Sequence, residues 1–563
     1  MNVTLLVFVL LYLVGTLALG AWAGTRVKNT ADFAVAGRSL PLIMVVTTSF
    51  ATWFGAETVM GIPAKFAQGG LSEVVEDPFG ASMCLVLVGL FFATKLYPMN
   101  LLTIGDYYRK RYGTTVEVLS SVMIIISYLG WVAAQITALG LVFSILSGGQ
   151  IDAPVGMTIG TVLVLVYVMM GGMLAVAYTD FIQMIVLVIG LLYIAVSSAN
   201  LAGGASNVIS AAADRDMFSI LPESTIQGWL FFVGAAITMM LGSIPQQDVF
   251  QRVMSAKNAS TARNGAVIGG LLYLVFAFVP MFIVVSAMIV MPDQVAVMMP
   301  ADEELPVESG TEVAADAGTG MVFAEAGTDA AVAAAESAGV EAVGGEASVG
   351  DPQYILPTLI LDHMPLTAQI LFFGALVSAI KSCSSATLLA PSTSFVENIL
   401  RNFYPRMNDR QVLLAMRITI LIFTCCVLTF AIATRGLSIY DMVSNAYKVT
   451  LVGSFVPLVF GLYWRRATTQ GAILSIAAGI AVWLVVDMTT WETDFSGFLL
   501  MQYAGDASDA AAYPGYDVPG QLAGVLAALV GMFVGSLAPQ WLTDRREPID
   551  RLPGPDYAAD PGA

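Results

Sequence analysis

The residues best placed to do chemistry in this chain are acids, amides and lysines set inside apolar stretches. Glu57 lies between Gly55 and the run Gly61-Ile62-Pro63. Gln246, Gln247 and Asp248 follow Gly242 and Pro245. Gln135 closes the stretch Trp131-Val132-Ala133-Ala134-Gln135, and Asp180, Lys381 and Lys448 interrupt other apolar runs. A charge at the centre of a membrane helix costs about 2.5–3.5 kcal/mol on insertion scales, so such residues mark ion or solute pathways. Gly and Pro beside Glu57 and Gln246 weaken the helix where polar groups sit. Unwound backbone at that depth exposes carbonyls and half-helix ends to a solute or an ion. The chemistry implied is binding and coordination. His363 is the only histidine, and Cys84, Cys383, Cys425 and Cys426 all lie in apolar stretches. That pattern argues against a disulfide framework, a cysteine metal site and a histidine-rich centre. With no phosphate loop or nucleophile motif either, an enzyme is not expected.

The elements that position these residues are membrane spans. Of 563 residues, 57% are hydrophobic and only 12% charged, and the mean hydropathy is +0.79. A soluble protein carries about 25% charged residues, so soluble domains, a nucleic-acid binder and a disordered chain are poor readings. Apolar segments fall at 3–24, 40–64, 76–98, 116–147, 155–175, 178–200, 227–250, 264–291, 355–400, 411–434, 438–464, 469–489 and 519–541. The fold class is all-α, a polytopic membrane protein of about thirteen transmembrane helices. The ninth segment is too long and must tilt or extend beyond the bilayer. Residues 3–24 read as a first span rather than a signal peptide, because no basic residue precedes a run of that length.

Charge assigns the sides. With the N-terminus outside, 19 of the 24 Lys and Arg residues fall in cytoplasmic connections, and only Lys65, Arg215 and Arg435 fall opposite. Residues 292–352 hold thirteen acids and residues 491–518 hold five, neither with Lys or Arg. Most of the net charge of −17 is thereby placed on the outer face, and the first loop reads as a solvated spacer. The C-terminus is cytoplasmic. The localisation expected is the inner membrane of a prokaryote, with the outer face meeting a saline medium.

Six motifs together resemble the sodium:solute symporter family. They are Ala36-Gly37-Arg38-Ser39-Leu40 leading to Ala56-Glu57; Thr103-Ile104-Gly105-Asp106-Tyr107 through Arg111-Tyr112-Gly113; and Gly171-Gly172-Met173-Leu174-Ala175-Val176 leading to Thr179-Asp180-Phe181-Ile182-Gln183. They continue as Pro245-Gln246-Gln247 with Gln251-Arg252; Ser378-Ala379-Ile380 through Glu397-Asn398-Ile399; and Gly461-Leu462-Tyr463-Trp464-Arg465-Arg466. The resemblance covers roughly residues 5–480. It implies a leucine-transporter-like core of two inverted five-helix repeats. These would comprise 40–200 and 227–464, joined by an external loop 201–226 and carrying the acidic insertion 292–352. An N-terminal helix and connection (1–39) precede them. Two accessory helices (465–541) and a tail (542–563) follow.

The resemblance also implies a sodium site and a solute site. Sodium would lie between the carbonyls of Ala51 and Phe54 and the eighth-core-helix positions Ala379, Ser382 and Cys383, with Asp180 assisting release to the cytoplasm. Sulfur is a poor ligand for a hard cation, and Lys381 stands where an apolar residue is usual. Residue 381 is turned about 150° from the face shared by Ala379, Ser382 and Cys383. Sodium coupling is therefore the first reading, with Lys381 a buried ion pair. Glu57 resembles a sugar-contacting acid of relatives. Solute contacts are expected from Trp53, Glu57, Gln135, Gln246, Asp248 and Lys448, with Lys448 meeting a solute carboxylate or pairing with Glu57 or Asp441. For Trp53 and Gln135 core packing competes equally with contact.

The function expected is a secondary active transporter that couples inward movement of a small polar organic solute to a sodium gradient by alternating access. The alternatives are proton-coupled or uncoupled transport through Lys381, and a transporter-like sensor. A short Pro-rich tail after residue 541 weighs against the sensor, and paired broken helices weigh against a passive channel. The partners expected are a small solute, Na⁺ as coupling ion and the bilayer. No resident cofactor, nucleic acid or obligate protein partner is expected.

Overall fold

The computed structural model describes residues 3–222, 224–299, 350–434, 436–490 and 518–542. Most of the acidic insertion, the second acidic loop and the tail lie outside the described residues. Among the described residues the chain is helical, and its one β-like contact is a bridge between Leu40 and Ala256. That bridge ties the approach to the first broken helix to the exit from the second, through Leu40 N to Ser255 O at 2.9 Å and Lys257 N to Leu40 O at 3.0 Å.

Helix α1 (Val3–Gly24) is apolar on every face. The first broken span is α2 (Leu42–Trp53), a π-helical turn over Glu57–Gly61, and α3 (Ile62–Gly69). Gly70, at φ +73°, ends α3. Helix α4 (Ala81–Leu87) continues through a wider π-helical stretch, Val88–Ala93, and a helical turn, Thr94–Leu96, to a tighter 3₁₀ turn, Tyr97–Met99. The short α5 (Ile104–Tyr112) starts on a Thr103–Asp106 capping box. It leads into α6 (Thr114–Ser147), the most enclosed span. Helix α7 (Ala153–Leu201) has 49 residues, about 74 Å if straight and far more than one bilayer. Gly172, at φ 53° and ψ −153°, divides it into two crossings. Any Cβ there would meet Phe33 O at 2.5 Å, so the Gly-Gly motif serves both the turn and the close approach.

The second broken span is α8 (Ile226–Gly242) and α9 (Gln247–Met254), bent by 47°. Then come α10 (Ala259–Val290), α11 (Leu366–Ser394), α12 (Asp409–Ala433), α13 (Ile439–Thr450), α14 (Val456–Tyr463), α15 (Thr469–Thr490) and α16 (Gly520–Leu537). The expected single span 355–400 is corrected. A separate helix, Ile355–His363, is followed by extended backbone at Met364 and Pro365, and only then does α11 begin. Proline has no N–H to continue a helix and disfavours α geometry in the residue before it.

By length and composition ten helices among the described residues can cross a membrane, or eleven if the bent pair α8–α9 is one span. The count lies below thirteen because Glu57–Met99 passes as one run, while Leu42–Trp53 and Ala153–Met169 fall short of full length. With the breaks at Phe54, Gly70 and Gly172 taken into account, the apolar segments other than 355–400 each correspond to a helix or broken helix.

Candidate functional site

The first break is built around Glu57. Helix α2 stops where Phe54 leaves helical geometry (φ −87°, ψ 71°). Gln135 on α6 then closes the gap, its Oε1 accepting from Ala56 N at 3.0 Å while its Nε2 donates to Glu57 Oε2 at 2.6 Å. Trp131 Nε1 donates to Glu57 Oε1 at 3.3 Å, and Cys383 Sγ lies 3.9 Å from the same oxygen. A Cβ at Gly55 would sit 2.5 Å from Glu57 Oε2, so only glycine lets the carboxylate fold back over the break.

Aromatic rings surround this carboxylate. Tyr128, Trp131 and Gln135 are spaced i, i+3, i+7 and share one face of α6. Trp53 stacks on Tyr447 of α13 with centroids 5.8 Å apart and planes 5° from parallel. Trp131 lies 5.3 Å from Tyr447, 6.0 Å from Trp53 and 6.0 Å from the parallel ring of Tyr128. Tyr273 of α10 meets Trp53 edge-on at 6.4 Å. Glu57, Trp53, Trp131 and Tyr447 are each no more than 2% exposed, so the group is sealed from bulk solvent. The rings rest on one another, and entry of a solute group between them requires α13 to move from α2.

The second break supplies amides and an acid. Gln246 Nε2 donates to Ser127 Oγ at 2.9 Å and to Thr450 Oγ1 at 3.3 Å. Thr450 Oγ1 donates to Gly242 O at 2.7 Å, satisfying a carbonyl that the break releases. Tyr128 Oη accepts from Asp248 N at 2.9 Å and donates to Asp248 Oδ1. Asp248 Oδ2, Gln246 Oε1 and Tyr447 Oη are buried without a hydrogen-bond partner. Unsatisfied buried polar atoms beside aromatic faces are what a solute site presents before its ligand arrives.

A second cluster lies one turn along α2. Asp180 accepts at 2.5 Å from both Thr48 Oγ1 of α2 and Ser382 Oγ of α11. One carboxylate thus joins the first broken helix, the second half of α7 and α11, and it is fully buried. Ala379 and Ser382 lie on this side of α11, and the carbonyls of Ala51 and Phe54 belong to the last turn and the break of α2. The neighbouring Cys383 turns its sulfur to Glu57. Arg252 of α9 donates from Nε to Thr52 Oγ1 at 2.7 Å and from Nη1 to Asp248 O at 3.1 Å, joining α9 to α2. Among the described residues no group of three or more His, Cys, Asp or Glu side chains is placed to hold a metal ion. A sodium ion here would rest on hydroxyls, carbonyls and one carboxylate, which suits a hard cation.

Lys381 has no hydrogen-bond partner. Its ammonium stands 4.0 Å from the centre of the Tyr167 ring, within electrostatic reach of Asp180. The buried ion pair becomes a cation–π contact, because residue 381 points away from the Ser382 face. Lys448 acts electrostatically on Glu76 and Asp487, and Asp441 pairs with Lys65 at 3.1 Å. Tyr447 faces the aromatic group, and one residue on, about 100° around the helix, Lys448 is turned out of it.

Sequence reasoning missed Tyr128, Trp131 and Tyr447 as a set. The i, i+3, i+7 spacing on α6 carried part of the signal. Tyr447 had none, since its partners come from helices hundreds of residues away.

Three comparisons bear on this geometry. A model of the sodium:solute symporter family matches residues 33–479. High-affinity choline transporter 1 of Caenorhabditis elegans is 24% identical over 497 residues, covering 85% of this chain and 77% of the relative. The human high affinity choline transporter 1 is 24% identical over 490 residues, covering 85% and 75%. Sodium/glucose cotransporter 4 of Danio rerio is 24% identical over 505 residues, covering 85% and 70%. Among solved structures, a Na⁺-coupled sialic acid symporter in a substrate-bound, outward-open state superposes with a TM-score of 0.67 at 20% identity, over 96% of this chain and 99% of that one. The fold is all-α and leucine-transporter-like, and the chain belongs to the sodium:solute symporter family of multi-pass membrane transporters.

Proposed function

We propose that this symporter carries a small organic cation with a methylated ammonium group, choline-like in chemistry, driven inward by Na⁺. The observation that carries the reading is the ring cluster of Trp53, Trp131, Tyr128 and Tyr447 around the Glu57 carboxylate. Aromatic faces attract a quaternary ammonium through their quadrupoles, each by about 0.5–2 kcal/mol, and a buried carboxylate supplies the counter-charge. The choline transporters among the relatives support the same choice. A sugar would ask for free donors and acceptors on both walls, whereas at the first break Glu57 already accepts from Gln135 and Trp131 and the open polar atoms lie only toward the second break and Tyr447.

In this reading Trp53, Glu57 and the α6 rings form one wall. Gln135 holds Glu57, Gln246 and Asp248 of the second break receive the polar end of the solute, and Tyr447 closes over it. Lys448 stays outside the first contact layer. Na⁺ binds among the Ala51 and Phe54 carbonyls, Ala379 and Ser382, with Cys383 at the border with the solute. Asp180 draws the ion onward. Proton coupling through Lys381 has less support, since its ammonium faces Tyr167 and not the Ser382 hydroxyl. The repeats 40–200 and 227–464 rock about this centre. Lys65–Asp441 closes one side, and Arg252–Thr52 with Tyr128–Asp248 closes the other. The N-terminus lies outside and the C-terminus in the cytoplasm of a prokaryotic inner membrane.

The test is uptake in proteoliposomes of labelled choline, a labelled hexose and labelled proline, each with and without a Na⁺ gradient. Na⁺-dependent accumulation of choline alone is expected. Accumulation of the hexose or proline in its place overturns the solute, and accumulation indifferent to Na⁺ overturns the coupling.

A further inference from the structure

Outside the solute centre, Lys381 is a buried charge with no hydrogen-bond partner, and Asp180 of the sodium cluster reaches it only electrostatically. Lys381 stands near the middle of α11, 4% exposed, with its ammonium on the Tyr167 ring. It also lines a crevice walled by α1 from Val9 to Leu17 on one face, by Leu139, Val142, Phe143 and Leu146 of α6, by Gly160, Leu163 and Val164 of α7, and by Val377 beside it on α11. Every lining residue except Lys381 is apolar. Leu10 and Val14, at 41% and 62% exposed, open the crevice to the surrounding hydrocarbon. The crevice is held in shape one turn away, where Tyr12 of α1 and Ser378 of α11 share a hydrogen bond.

An ammonium in hydrocarbon without a hydrogen-bonded anion is costly, and an aromatic face offsets only part of that cost. The ligand that completes this crevice is apolar along its length and carries one anionic group at its end. A diacyl phospholipid fits poorly, because its glycerol esters and second chain would lie against apolar walls that offer them no donor. We propose that the crevice between α1 and the core binds a long-chain carboxylic acid, its carboxylate on Lys381 and its chain running between α1, α6 and the first half of α7. The Lys381 nitrogen is covered where it rests on Tyr167, so it swings toward the crevice to donate to the carboxylate, a charge-assisted contact. The chain replaces membrane lipid against Leu10, Leu13 and Val14.

The experiment uses the full chain in lipid nanodiscs free of fatty acid, with a photoactivatable palmitic acid as probe and peptide mapping of the adducts. Labelling of α1 and α6 peptides is expected. Excess oleate should remove it at least tenfold more effectively than oleyl alcohol or phosphatidylglycerol. Lys381→Met should cut labelling at least tenfold. Val14→Trp, which fills the crevice mouth far from the transport site, should do the same while solute uptake persists. Equal competition by the alcohol would make the crevice an ordinary lipid contact and overturn the proposal. Equal competition by phosphatidylglycerol would assign it to a lipid phosphate, and undiminished labelling of Lys381→Met would remove the lysine from it. The outcome is independent of which solute the transporter carries.

Discussion

Gln135 holds Glu57 and the first break together: one amide donates to the carboxylate at 2.6 Å and accepts from the freed Ala56 N–H at 3.0 Å. Both ends of a neutral side chain are thus used where an extra charge would be expensive. Gln135→Leu removes both bonds at almost constant volume. A hydrogen bond to a charged group contributes about 1.5–3 kcal/mol, so solute KM should rise on the order of 10- to 100-fold. The check is solute titration of uptake at saturating Na⁺. An unchanged KM would mean Glu57 is held some other way.

The ring cluster should discriminate charge from shape. Tyr447→Phe keeps the face and loses only the hydroxyl, whose one open contact is with the polar end of the solute, so its KM should rise less than that of Tyr447→Ala. Tyr447→Ala and Trp131→Ala each lose a face worth about 0.5–2 kcal/mol, a rise in KM of about 2- to 30-fold. The neutral isostere of choline, with carbon in place of nitrogen, should inhibit native uptake much more weakly than choline does. Equal inhibition by the two would remove the cation–π account.

Sodium dependence should follow Asp180 rather than Glu57. Asp180 takes hydroxyl hydrogens from α2 and α11, two of the helices that bound the ion. Asp180→Asn keeps the shape and removes the charge. Its Na⁺ KM should rise by at least about tenfold, some 1.4 kcal/mol, with solute KM at saturating Na⁺ little changed. Measuring both constants in the same vesicles separates an ion role from general damage.

Cys383 offers a chemical probe of the solute site, because its sulfur lies 3.9 Å from Glu57 and is buried. The thiol reagent trimethylammonium-ethyl methanethiosulfonate carries the same head as the proposed solute. It should inactivate native uptake, saturating solute should slow that inactivation, and Cys383→Ala should resist it. Cys425 and Cys426, which face outward from the membrane-spanning α12, are shielded by hydrocarbon from this charged reagent and should not react. Inactivation that persists in Cys383→Ala would place the sensitive thiol elsewhere.

Much of this was legible from periodicity and charge. Apolar runs located the spans, and Gly and Pro beside Glu57 and Gln246 located both breaks, since local backbone chemistry is written locally. Asp180 and Ser382 were singled out by motif, and they meet. Contacts between distant helices were not legible. Tyr447 differs from other tyrosines only by its partners on α2 and α6, and Lys448 beside it lies one step of helical rotation on, within electrostatic reach of Glu76. Lys381 has Asp180 in electrostatic reach but rests its ammonium on Tyr167, a residue with no charge to mark it in the sequence.

The second break also controls the ring cluster, through Gly242. A Cβ there would meet Tyr447 O at 2.5 Å and Leu451 Cβ at 3.1 Å, and the first of these is backbone that cannot swing aside. Gly to Ala inside a helix ordinarily stabilises by about 1 kcal/mol. Here the methyl must push α13 from α8, straining the Thr450–Gly242 hydrogen bond and displacing Tyr447 from Trp53. Gly242→Ala should therefore lower the thermal midpoint in detergent and raise solute KM together. Gly374→Ala on α11, where no heavy atom lies within 4 Å of the added methyl, should leave the midpoint equal or higher. If both variants behave alike, the effect belongs to helix propensity, and the contact between α8 and α13 does not set the position of Tyr447.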